Sequence, residues 1–333
     1  LSTSAVSQVL SNAPTGNTGI MVTDERFVFA LGSGGNPQKV AWSDRENNNL
    51  WAPSATNQAG DIELQTTGEI MCGLRVKGAA LILTTLDAHT AIYAGPPYVY
   101  GFERAGSSCG VISRQGAVSA NGSAYWMGKG GFFTFNGAAV TEMTCEVLDK
   151  VFTDLNKAQS SKVCAIHNSK FGEVWWFYPS GDSVENDRYV VFDYKEGHWN
   201  IGALSRTTGV DMGAFVSPLW FDASGNLYNH ESGFSHDSAP YLESGPIQMG
   251  AGDNIVKVNE IIPDEGTEGQ VNLTFKTRFY PNGAETSHGP YDLSSPTGAR
   301  FQGRQVRMII NGTELNNWRA GKMRLNVIEG GRR

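Results

Sequence analysis

The chain has 333 residues, and 40 are glycine, about 12% against a usual ~7%. Charged residues make up only 18% and the net charge is −7. An apolar share of 40% with 11% aromatics excludes a disordered acidic chain. The glycines show no G-X-Y period, and no run approaches the ~18 apolar residues of a membrane helix. What remains is a β-rich protein with many tight turns, since glycine supplies the positive φ that such turns require.

In chain order, residues 1–20 are uncharged and rich in Ser, Thr and Asn. They lack the basic and apolar regions of a signal peptide and read as a loop or the remainder of a longer chain. We set 1–21 apart on that basis. Strands are then predicted at Arg26–Leu31, Lys39–Ser43, Glu69–Val76, Ala79–Thr85, Thr90–Ala94, Tyr98–Phe102, Ser123–Met127 and Gly131–Phe135. The last ends at Asn136-Gly137, a hairpin signal of the type I′ kind. One short helix is predicted over Glu146–Lys157, where Val147, Leu148, Val151, Phe152 and Leu155 share a face and Thr144 is placed to cap it. Strands resume at Lys162–His167, Glu173–Tyr178, Arg188–Tyr194, His198–Ile201, Leu219–Phe221 and Asn226–Asn229, the last two flanking the turn Asp222–Gly225. Aromatic strands separated by turns recur at roughly blade-sized intervals of ~40–50 residues. The fold expected is all-β: a β-propeller of five or six blades over 22–240, with a sandwich as the competing arrangement. Adjacent Trp175 and Trp176 put one ring on each face of their sheet, for packing between blades.

Residues 241–333 form a second β unit, with alternating runs at Ile255–Ile262, Val271–Phe279, Gln305–Ile310 and Lys322–Ile328. Charge also divides here. Residues 300–333 hold eight cations against Glu314 and Glu329, a net +6, which leaves −13 on the remainder.

The chemistry-bearing groups are weak signals. Gly32–Gly35 and Gly128–Gly131 lack phosphate-loop spacing and read as turns. His230, Glu231, His236 and Asp237 are conceivable metal ligands, but without H-E-x-x-H spacing they read as a loop. Asp264, Glu265 and Glu268 read as a solvated hairpin tip rather than a glycosidase pair. Cys72, Cys109, Cys145 and Cys164 contain no C-x-x-C and read as buried free thiols of a reducing compartment. The expectation is therefore no catalytic residue, no metal site, no cofactor and no enzymatic activity.

A longer constellation then stands out. It runs through Phe27–Leu31, Val40–Asp44, Trp51, Ala59–Ile62, Ala91–Gly95, Cys109–Ser113, Tyr125-Trp126, Cys145–Val147 and Glu173–Pro179. It continues in Tyr189–Val191, Tyr194, Trp199, Arg206-Thr207, Gly225–Gly233, Gly303-Arg304, Arg307, Trp318–Gly321, Arg324 and Gly330–Arg333. Over about 25–333 this resembles the tail nozzle, or packaged-DNA-stabilising, proteins of short-tailed bacteriophages. The resemblance implies a structural virion protein, made in the host cytoplasm. It implies a homo-oligomeric, six-fold ring in the phage tail, with portal, adaptor and tail fibre proteins as neighbours. Such a ring holds packaged DNA back and then conducts it through its lumen without binding it specifically. An acidic body suits that role, because each cation on a phosphate adds affinity. Arg304, Arg307, Arg319 and Arg324 are the candidate subunit or adaptor interface. The alternative is a propeller-type tail protein that binds or degrades glycans.

Overall fold

A computed structural model describes residues 9–10, 12–233, 240–251, 254–312 and 318–331. The chain divides into two compact units, Leu1–Glu231 and Ser232–Arg333. The break therefore falls earlier than the expected 240/241.

The first unit is a series of antiparallel meanders. Blade 1 is β1 (Gly19–Val22), β2 (Val28–Leu31), β3 (Lys39–Trp42) and β4 (Gly60–Glu63); blade 2 is β5 (Ile70–Val76), β6 (Ala79–Thr84), β7 (Asp87–Gly95) and β8 (Val99–Ser107). Blade 3 is β9 (Ala117–Ala120), β10 (Ser123–Met127), β11 (Phe132–Phe135) and β12 (Val140–Met143). Blade 4 is β13 (Cys164–Asn168), β14 (Glu173–Tyr178), β15 (Arg188–Asp193) and β16 (His198–Ala203). Blade 5 has three strands, β17 (Thr208–Val210), β18 (Leu219–Phe221) and β19 (Leu227–Asn229). The first strand of each blade runs beside the first strand of the next, from β1 to β5, β9, β13 and β17. Residues from all five line one axial cavity. This is a five-bladed propeller. It begins at Gly19, inside the segment expected to be a loop.

The seams between blades explain the aromatic strands. Side chains alternate across a strand, so each middle strand feeds two seams. On β6, Ala80 and Ile82 join Phe29 and Trp42 between blades 1 and 2, whereas Leu81 and Leu83 join Trp126 and Phe135 between blades 2 and 3. On β14, Val174, Trp176 and Tyr178 pack between blades 3 and 4, and Phe177 and Trp175 pack on Trp220 between blades 4 and 5. The Trp175/Trp176 pair thus splits across two seams as its alternation requires. Space narrows toward the axis, and the inner strands use small residues. A Cβ at Gly73 would sit 2.4 Å from Met21 Sδ, and one at Gly209 2.4 Å from Trp220 Cδ1.

Local signals met mixed outcomes. The helix α1 is shorter than expected, Leu148–Asp154, and its N-cap is Val147 without a side-chain cap. Thr144 instead offers its carbonyl to Trp199 Nε1 at 2.8 Å. Asn136-Gly137 does join β11 to β12, but through a four-residue loop in which Asn136 Oδ1 accepts from Ala138 N and Ala139 N. The two-residue turn with both φ positive lies at Asn121-Gly122, between β9 and β10.

The second unit contains β20 (Tyr241–Glu243), β21 (Ile247–Gln248), β22 (Val256–Pro263), β23 (Val271–Arg278), β24 (Thr286–Asp292), β25 (Thr297–Gly303), β26 (Gln305–Gly312) and β27 (Met323–Glu329). One sheet has the order β20-β26-β23-β24 with β21 also on β26; the other is β25-β22-β27. Val258, Ile261 and Phe301 from one sheet meet Leu273, Phe275 and Ile310 from the other in a single core. β23 alternates strictly between buried and half-buried positions. The acidic turn after β22 is not a hairpin tip, because β22 and β23 lie in different sheets. Asp264 Oδ2 accepts from Lys322 N, and Glu268 pairs with Arg319 through the backbone. No helix among the described residues is long and apolar enough to cross a membrane.

Candidate functional site

Two places in the propeller gather chemistry. The first is the end of the seam between blades 4 and 5. Asn168 closes β13 and is fully buried. Its Nδ2 donates to Glu173 Oε2 at 3.1 Å and to Glu231 Oε1 at 3.2 Å, so one amide holds two carboxylates side by side. Two carboxylate oxygens fix the amide's orientation, since only the NH₂ can face both. Trp175 Nε1 also donates to Glu173 Oε2, at 2.8 Å. Burial pushes the Glu173 carboxyl above its usual range, the Trp175 and Asn168 donors oppose this, and the neighbouring Glu231 and Asp193 charges add to it. Burial likewise raises Glu231, against the Lys170 charge and the Asn168 donor. Lys170 Nζ donates to the Glu231 carbonyl at 2.9 Å, and Glu231 itself has a positive φ of 57°.

Beside this pair, His167 Nδ1 lies 3.0 Å from Asp211 Oδ2 and Nε2 lies 3.1 Å from Tyr194 Oη. Burial lowers the His167 pKa against the pull of Asp211. With Nδ1 donating to the Asp211 carboxylate, a neutral ring would accept the phenol proton on Nε2. Asp211 Oδ1 also takes Ser169 N and Oγ, each at 3.0 Å. Deeper in the same seam, His230 stacks on Trp220 at 3.8 Å and accepts from Arg206 Nε at 2.8 Å. Arg206 lies over the Tyr228 ring. Burial first, then the Arg206 charge, pushes His230 down to about 4.

The second place is the axial cavity, of about 390 Å³. Among the described residues its lining is Gly19, Gly73, Ala117, Ala165 and other uncharged residues, with Arg114 the one charged side chain and no Asp or Glu. Cys72 and Cys164 reach it as free thiols, both pushed up to about 12 by desolvation. Cys109 is a buried free thiol too, and Cys145 a half-buried one. The glycine runs at Gly32 and Gly128 are turns; Gly32, Gly34 and Gly35 have positive φ, and Gly128 N donates to Gly131 O.

The four candidate arginines are not one cluster. Arg307 on β26 is committed to Glu243 and Glu285, with Lys276 also on Glu243. Arg304 donates to the Phe279 carbonyl and lies over the Tyr280 ring. Arg319 is exposed on the bridge to Glu268, and Arg324 is exposed on β27 in the other sheet. Among the described residues no group of three or more His, Cys, Asp or Glu is placed to hold a metal ion, and His236 and Asp237 lie outside those residues. The Asn168-centred pair was not legible in the sequence: Glu173 and Glu231 are 58 positions apart, and Asn168 carries no motif.

No family model matches the chain, and no curated protein matches it. Among solved structures it is similar to the dihydro-heme d1 dehydrogenase NirN, with 10% identity and a TM-score of 0.38, over 88% of this chain and 60% of that one. This chain thus spans less than two thirds of that protein. It is also similar to an exo-β-1,3-galactanase of Phanerochaete chrysosporium, with 11% identity and a TM-score of 0.31 over 97% of this chain and all of that one. A glycoside hydrolase aligns at 12% identity and a TM-score of 0.30, over 90% and 97%. These alignments assign no activity to the chain. The expectation that it is not an enzyme is nevertheless corrected: glycan-cleaving enzymes are among its structural neighbours, and that exclusion is withdrawn.

Proposed function

We propose that the chain is a subunit of a short-tailed phage tail nozzle, a ring-forming virion component that retains packaged DNA and conducts it during ejection. The observation that carries this reading is the pairing of a propeller with a separate β unit on one chain, which suits a ring-forming body with an added platform. The charge division supports it: a net −13 over residues 1–299 keeps DNA phosphates from adhering, and a net +6 over 300–333 suits contact with protein neighbours. In this reading the exposed Arg319 and Arg324 face a neighbour. Arg307 serves its own unit, since Glu243 and Glu285 already neutralise it. Negative-stain imaging and mass measurement of the purified chain, alone and with portal and adaptor proteins, test the reading. A closed six-fold ring with a central pore is expected. A chain that stays monomeric in both conditions overturns it.

A second reading, glycan cleavage, is favoured by one observation, the Glu173/Glu231 pair. Two neighbouring carboxylates with raised pKa values are the chemistry of general acid and base on a glycosidic bond. Release of reducing ends from bacterial surface polysaccharide, abolished in both Glu173→Gln and Glu231→Gln, supports this reading. Release that persists in both variants removes it.

A further inference from the structure

We propose that the axial cavity of the propeller binds a small oxyanion carried on a sugar-sized body, with Arg114 as its anchor. This inference is independent of the tail reading and of the Glu173/Glu231 pair.

The argument starts from the sign of the charge. The body of the chain is acidic, yet the cavity where its five blades converge holds no carboxylate and one guanidinium. Arg114 has no ion pair among the described residues. Its Nη1 donates to the Thr18 carbonyl at 2.5 Å. That bond links the entry of blade 3 to the entry of blade 1, which are not neighbours around the axis. It holds the exposed guanidinium against the cavity, and among the described residues it is the one hydrogen bond given for that side chain. A guanidinium presents five donors in a fixed fork, which suits a carboxylate or phosphate better than any neutral ligand.

The rest of the lining completes the cradle. Gln115 and Thr208, both exposed, contribute an amide and a hydroxyl to the lining. Each inner strand pairs on one edge within its blade, and on the other edge of β13 the Ala165 N–H donates to the Gln115 carbonyl at 2.7 Å, which fixes Gln115 in the lining. The volume of about 390 Å³ lies at the low end of small-molecule sites, which run from ~300 to ~1,000 Å³. That is room for one sugar ring bearing an anionic group.

Calorimetric titration and thermal shift of the full chain test the site, with glucuronate, glucose 1-phosphate, inorganic phosphate and glucose as probes. Saturable binding of glucuronate or glucose 1-phosphate is expected, with glucose at least about tenfold weaker, as loss of one charge-assisted pair implies. The two anionic sugars separate a carboxylate from a phosphate ligand, and inorganic phosphate shows whether the anion suffices alone. Arg114→Gln should abolish binding. Arg114→Lys keeps the charge without the fork and should retain weaker binding, which also covers the case where the glutamine variant does not fold. Equal affinity for glucose and glucuronate, unchanged binding in the folded Arg114→Gln protein, or no saturable binding of either anionic sugar overturns the proposal.

Discussion

Four seams of the propeller are sealed and the fifth is not. Between blades 3 and 4, Trp176, Phe132, Val174 and Val190 are fully buried, with α1 laid over them. Between blades 4 and 5 the apolar core shrinks to Cys164, Ile166, Phe177 and Trp220, extended by the stack of His230, Arg206 and Tyr228. The faces left over, on blade 5 and blade 1, share no buried apolar cluster among the described residues. Val210 and Leu227 on blade 5 are 49% and 53% exposed, and Ile20 and Val22 on blade 1 are 67% and 49% exposed. Blade 1 instead covers Ala30 and Ala41 with Trp51 and Ala13 from its own loops. The lesson is that one meander topology tolerates three grades of seam. Apolar area dominates where four strands face four, and polar stacking substitutes where a blade has only three short strands.

The comparison breaks first at its strongest point. Trp176→Ala, in the best-sealed seam, should cost about 3–5 kcal/mol in chemical denaturation. A loss below about 1 kcal/mol would mean the seam is not a core at all. The next test concerns pH. His230 is held near 4 in the fold against an ordinary 6.5. A lowered folded pKa contributes stability above pH 6.5 that is lost as pH falls toward 4. Thermal melts of wild type and His230→Phe should therefore diverge above pH 6.5 and converge by pH 4, and parallel curves would remove the imidazole from the seam's energetics. Glu173 and Glu231 act with the opposite sign, because raised carboxyl pKa values favour the fold at low pH and oppose it as pH rises. Glu173→Gln should raise the melting temperature at pH 7 by about 1–2 °C, and the gain should vanish below pH 4.5. The smallest effect belongs to the open seam: Ile20→Thr or Leu227→Thr should shift stability by no more than about 0.5 kcal/mol.

Much of this architecture was legible, and the illegible part has a pattern. Ser123–Met127, Glu173–Tyr178 and Leu219–Phe221 form strands with the expected bounds. All three are middle strands, whose large side chains feed two seams at once. The strands β1, β4, β9, β12 and β17 were missed, and each is only three or four residues long. The motif residues Arg206, Tyr228, His230 and Glu231 proved to be neighbours around one seam, but their partner Asn168 was silent. A buried amide that bridges two carboxylates has no periodicity and no spacing. The basic C-terminal stretch misled in one respect, because charge in a sequence does not show which cations are already paired. Arg307 is paired and Arg324 is exposed, yet both read as +1.

The glycines at the hub have a consequence for how such a protein can change. Gly73 and Gly209 leave no room for even one added carbon beside Met21 and Trp220. The inner circumference is therefore held close at these two points by the side chains of neighbouring strands packed onto bare backbone. Outer strands and their loops can lengthen, shorten or take insertions, as blade 5, with three strands among the described residues, illustrates. Blade number cannot drift by such small steps, because a sixth wedge would need every hub position rebuilt together. A side chain added at Gly73 or Gly209 should therefore cost more than a change of loop length at the rim.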